Sequence, residues 1–66
     1  MKSYEKFEEL CKRQGVTAYQ ISQKSKVATS TLSMWKQGKY VPKINKLRAI
    51  AKALNVSVEV FLEMED

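Results

Sequence analysis

Apolar residues recur along this chain at the spacing of helical turns, separated by short polar punctuation, and the pattern predicts five short helices and no strand. Phe7, Leu10 and Cys11 follow the i, i+3, i+4 rule behind Ser3, a residue type suited to capping. Gly15 offers a left-handed stop, so a first helix is expected over about residues 4–14. Thr17 followed by Gln20 has the form of a capping box, with Val16 placed to staple the chain against Ile21, and a second helix is expected over about 18–25. After Lys26-Val27 a third segment, Thr29 to Gln37, carries Leu32 and Trp35 three residues apart and stops at Gly38. Pro42 fixes its own φ and holds Val41 extended while allowing a helix to begin. Ile44, Leu47, Ile50, Ala51 and Leu54 then give the strongest stripe in the chain, closed by Asn55. Ser57 caps a last helix over about 58–63, whose Phe61 and Leu62 are expected to close the core, and the last two or three residues are expected to fray.

A chain of 66 residues buries only about 60% of the surface its unfolded form exposes. All the helices must therefore share one core, and residues 1–66 are expected to form one all-α domain. Cys11 is the only cysteine, so no disulfide can staple that core. Its place on the apolar face of the first helix reads as a buried thiol, which suits a reducing cytoplasm. The N-terminus has no apolar signal core, and no run approaches the roughly 20 apolar residues that cross a bilayer. A soluble, cytoplasmic protein that does not engage membranes is expected.

Catalysis lacks parts. Histidine is absent, and one thiol has no partner with which to hold zinc or to act as an activated nucleophile. The carboxylates lie in amphipathic terminal segments, where they read as solvated faces rather than acid/base pairs. Gly15 and Gly38 stand alone, so no phosphate-cradling loop is formed. The chain reads as a non-enzyme with no cofactor and no metal.

Charge points elsewhere. Lys and Arg number 12 against 7 Asp and Glu, a net charge of +5. Every cation lies at or before Lys52, whereas Glu59, Glu63, Glu65 and Asp66 close the chain without one. A polyanionic partner fits the basic majority of the chain.

Two helices joined by a turn as short as Lys26-Val27 are expected to cross at a large angle, as in a helix-turn-helix unit spanning about residues 18–37. Such a crossing demands a small side chain at the closest approach, where Ser22 stands, and apolar pegs, here Val27, Leu32 and Trp35. The opposite side of the third helix, Thr29, Ser30, Ser33 and Met34, is left free of core duty. Three stretches carry a resemblance: Val16-Thr17 through Ile21-Ser22, Val27 through Pro42, and Leu47 through Ser57. Together they resemble the Cro and lambda-repressor type helix-turn-helix family, also called the XRE family, over nearly the whole chain. Two positions depart from that family's pattern: Ser22 replaces the usual Ala, and Lys26 stands where a Gly often takes a left-handed conformation, which is expected to cost some stability.

The resemblance implies a lambda-repressor-like bundle of five helices that binds double-stranded DNA by inserting helix 29–37 in the major groove. It assigns base readout to Thr29, Ser30, Ser33 and Met34. Their hydroxyls and methyls suit several bases, and none forms the bidentate pairs that make a target sequence easy to name. It assigns phosphate contacts to Thr17 and Ala18 at the start of the second helix, and to Lys36, Gln37, Lys39, Tyr40 and Lys43 around the loop after the third. Trp35 and Phe61 read as core residues rather than stacking platforms; Tyr19 fits either role. A homodimer on a palindromic operator is implied, with Val58 and Leu62 as candidate self-contacts. Repression of transcription is the expected output. The rival readings are the DNA-binding antitoxin of a toxin–antitoxin pair, with its toxin on the acidic last helix, and a protein-interaction module that has given up DNA.

Overall fold

The structure is a computed structural model that describes residues 2–63. Among the described residues it contains five helices and no strand: α1 (Ser3–Gln14), α2 (Ala18–Ser25), α3 (Thr29–Lys36), α4 (Ile44–Ala53) and α5 (Glu59–Leu62). The fold class is all-α, as the pattern predicts. The fraying expected of the last two or three residues lies outside the described residues.

Three of the helices end in the same way. The Val16 N–H donates to the Cys11 carbonyl at 3.0 Å, Lys39 to Met34 at 3.0 Å, and Val56 to Ala51 at 2.9 Å. In each case the residue just before the donor is left-handed: Gly15 at φ 67°, Gly38 at φ 76° and Asn55 at φ 58°. This six-to-one closure satisfies carbonyls that a helix end otherwise leaves bare. The start of α2 is equally well specified: Gln20 N–H donates to Thr17 Oγ1 at 3.1 Å, and Thr17 N–H donates to Gln20 Oε1 at 2.8 Å. That is the reciprocal box the sequence announces.

The core gathers the apolar faces of all five helices around Phe7, Leu10, Cys11, Ile21, Val27, Leu32, Trp35, Leu47, Ile50, Ala51, Leu54 and Phe61. Val16, the expected staple, packs against its edge. At the centre, the Trp35 ring lies 5.4 Å from Phe7, 5.4 Å from Tyr4 and 5.8 Å from Phe61. The edge-on contacts with Tyr4 and Phe61 suit the ring quadrupoles. Both Trp35 and Phe61 are core, as expected. A long-range bond, Gln14 Nε2 to the Leu54 carbonyl at 2.6 Å, pins the end of α1 to the end of α4.

Four expectations are corrected. Ser3 does not cap α1 but is its first residue and is buried; its hydroxyl accepts a hydrogen bond from Trp35 Nε1. The α1 start is held instead by Glu5, whose Oε1 accepts from the Lys2 N–H at 3.1 Å. Ile44 begins the α4 stripe yet is 43% exposed, and Leu62 does not close the core but is 54% exposed. Ile44 is the first residue of α4 and Leu62 the last of α5. Finally, α5 is only Glu59–Leu62, with Val58 as its cap and Ser57 Oγ accepting from the Glu59 N–H at 3.3 Å.

Candidate nucleic-acid interface

The junction between α2 and α3 depends on two residues, Ser22 and Lys26. Ser22 is buried, and its Oγ donates to the Val27 carbonyl at 2.6 Å. A hydroxyl in place of a methyl thus ties the second helix to the turn, where a buried polar group without a partner would cost stability. Lys26 takes the left-handed conformation itself, at φ 62°, and its N–H donates to the Ser22 carbonyl at 2.9 Å. The turn keeps its shape, and the strain is borne by Lys26. Ser25 Oγ, donating to the Ile21 carbonyl at 2.7 Å, completes the end of α2.

Beyond this turn, α3 divides cleanly into two faces. Leu32 and Trp35 are 3% and 2% exposed. Thr29, Ser30, Ser33 and Met34 are all exposed. At 1.5 Å per residue, an eight-residue helix is about 12 Å long, comparable to the width of a B-DNA major groove. The N-terminal end of α3 carries no side-chain cap, since Ala28 is the N-cap residue. The amides of Thr29 and Ser30 precede the first bonds to the Ala28 carbonyl, from Thr31 at 3.0 Å and Leu32 at 3.3 Å. They offer a partial positive charge to an anion.

The residues after α3 come together around one cleft of about 450 Å³, whose lining includes Lys36, Gln37, Lys39 and Tyr40. Gln37 is the C-cap of α3 rather than its last residue, and its Nε2 donates to Ser33 Oγ at 3.3 Å. A candidate phosphate contact thus touches a candidate base contact. Lys43 stands apart from the cleft as the exposed N-cap of α4. Thr17 and Ala18 sit on another element, the start of α2. There Thr17 Oγ1 is engaged as an acceptor by Gln20, and the Ala18 amide lies ahead of the first intrahelical bond, from Ile21 to Thr17 at 3.1 Å. The Tyr19 side chain is 64% exposed.

Two cations of this region are missing from the sequence reading. Lys46 lies with its Nζ 5.7 Å from the centre of the Tyr40 ring, a cation–π distance. One helical turn from Lys43, it could have been found by spacing. Lys2 lies with its Nζ only 3.8 Å from where a Cβ on Gly38 would stand. Nothing local announces that placement, because it follows from the packing of α1 on α3.

Electrostatically the region is one-sided. Between Glu9 and Glu59 the chain carries no Asp or Glu. The ion pairs found among the described residues, Lys6–Glu9, Lys12–Glu8 and Arg13–Glu9, lie within α1. Cys11 is buried among apolar neighbours, and burial first and Glu8 second push its thiol pKa up, which keeps it protonated and unreactive. Among the described residues, no group of His, Cys, Asp or Glu could hold a metal ion, and no helix is long and apolar enough to cross a membrane.

A family model described as helix-turn-helix matches residues 7–61, which takes in the whole of α2, α3, α4 and the cleft loop. No curated protein and no solved structure matches the chain.

Proposed function

Because this chain belongs to the helix-turn-helix family of the Cro and lambda-repressor type, whose members are DNA-binding regulators, we propose that residues 1–66 act as one domain that reads a specific operator with α3 and represses transcription by occupying it. The observation that carries this reading is the division of α3: Leu32 and Trp35 anchor it in the core while Thr29, Ser30, Ser33 and Met34 face outward. Those four side chains meet base edges. Thr17, the Ala18 amide, Lys36, Gln37, Lys39, Tyr40 and Lys43 hold the flanking phosphates and fix the register. The Thr29 and Met34 methyls can meet thymine methyls, and the hydroxyls of Thr29, Ser30 and Ser33 can bond to several bases.

One such module covers half a site. Two copies reading a palindrome place their recognition helices about 34 Å apart, and the protein's largest Cα extent is 24 Å. Neighbours on one face of the duplex therefore fit side by side. Leu62, exposed at the end of α5, and the half-buried Val58 are the apolar residues proposed to meet across the two-fold axis. The protein works in the cytoplasm, without a cofactor and without catalysis.

The test is selection of bound sequences from a random duplex pool. The reading predicts enrichment of a two-fold symmetric site and affinity that falls steeply with salt. Failure to enrich any sequence, or a flat salt response, would contradict it and favour a module that binds protein.

A further inference from the structure

We infer that Lys2 is a DNA-backbone contact that shares one basic cleft at the C-terminal end of α3 with Lys36 and Lys39 and holds a backbone phosphate of its own. This rests on the DNA-binding reading above and extends it to a residue at the far end of the sequence, outside the matched segment 7–61. The cleft lies between the start of α1 and the α3–α4 loop. Its wall is continuous with the recognition helix, since Lys36 is the last residue of α3 and Gln37 its cap.

Lys2 is held in place by its neighbours. Ser3 is 1% exposed and accepts the Trp35 indole N–H at 2.9 Å, so the residue next to Lys2 is locked to α3. The Lys2 N–H is in turn fixed by Glu5 Oε1 at 3.1 Å. The exposed Lys2 side chain then runs to within 3.8 Å of the Gly38 Cβ position. Neutralising the end of α3 does not require it. The carbonyls of Ser33, Met34 and Trp35 already receive the N–H groups of Gln37, Lys39 and Gly38, each at 3.0 Å. Glu5 is the one carboxylate among the residues lining this cleft, against three lysines, Lys2, Lys36 and Lys39. Like charges that share one cleft repel one another, and incoming backbone phosphates offset that repulsion.

The test measures the salt dependence of binding to a short duplex of mixed sequence for the full chain, Lys2→Gln, Lys2→Arg and Lys39→Ala. Losing one phosphate contact makes the slope of log K against log salt shallower by about 0.9. Lys2→Gln is expected to lose about that amount on every duplex with its unfolding midpoint unchanged, and Lys2→Arg to keep the slope. A Lys2→Gln slope equal to that of the unaltered chain, while Lys39→Ala makes it shallower, would overturn the assignment of Lys2 and leave the DNA reading intact. If the unaltered chain binds no duplex, the DNA reading fails and this inference with it. Inorganic phosphate alone, titrated at matched ionic strength, is expected to give no saturable shift of the Gly38 and Lys39 amides. Saturation would assign the cleft to the free anion and overturn the DNA assignment.

Discussion

The indole N–H of Trp35 donates to the hydroxyl of Ser3 at 2.9 Å, across 32 positions of sequence and with both residues buried. Through this bond the first residue of α1 orients the helix that presents Thr29, Ser30, Ser33 and Met34. Ser3→Ala leaves a buried donor without that partner, and the expected cost is about 1–3 kcal/mol in urea unfolding. A double-mutant cycle with Trp35→Phe should return a coupling on the order of 1 kcal/mol. Strict additivity would show that the bond contributes nothing.

Lys26 bears the strain of the turn. A left-handed L-residue costs roughly 1–2 kcal/mol, and glycine there gives back about 0.5–1 kcal/mol through unfolded-state entropy. Lys26→Gly is therefore expected to stabilise the protein by about 0.5–1 kcal/mol, because the Lys26 side chain is exposed. A lower melting temperature in the variant would mean that the side chain makes a contact the backbone geometry does not require.

Much of this fold is legible in the residues themselves because its boundaries are set locally. The Thr17–Gln20 box, the left-handed Gly15, Gly38 and Asn55, and the anchors Leu32 and Trp35 each depend on spacing within a turn or two. What the pattern misreads is set by neighbours distant in sequence. Ser3 looks like a cap until Trp35 is seen to use its hydroxyl. Ile44 and Leu62 continue an apolar stripe past the point where another helix covers it. Lys2 joins the basic cleft only because α1 packs on α3. The period of a helix tells which face turns inward, but not how far along its length the core extends.

Base readout and backbone contact should separate by mutation. Ser30→Ala is expected to change preference at one base position by about 1 kcal/mol, whereas Lys39→Ala weakens binding to all sequences alike. Competition binding against a panel of single-base variants of the selected site resolves the two. Equal effects of both substitutions on every sequence would refute this division of roles.

Alkaline pH should weaken the fold through the buried Cys11 thiol and the half-buried Tyr4 phenol. The Cys11 thiol is raised above its ordinary 9.0 by burial and then by Glu8, and the Tyr4 phenol above its ordinary 10.0 by burial, then by Glu8 and Cys11. For an acid whose folded pKa is raised, the unfolded chain loses its proton first. Its contribution is thus fully present below the unfolded value and is lost as pH rises through the folded one. Stability should hold at neutral pH and start to fall above pH 9.0, with Cys11→Ala postponing the decline toward the Tyr4 range that begins at 10.0. Thermal unfolding across this range checks it; an unchanged onset in Cys11→Ala would show that the thiol does not titrate as its burial requires.

In the proposed reading, the exposed side of α3 is the surface that meets DNA. The most direct measurement follows the backbone amides of the full chain by NMR during titration with duplex at low salt, where binding does not depend on knowing the operator. The largest shifts are expected on Thr29, Ser30, Ser33 and Met34, on Thr17 and Ala18, and on the loop from Gln37 to Tyr40. Shifts concentrated on α5 or the outer face of α1, with those α3 residues unmoved, would contradict it.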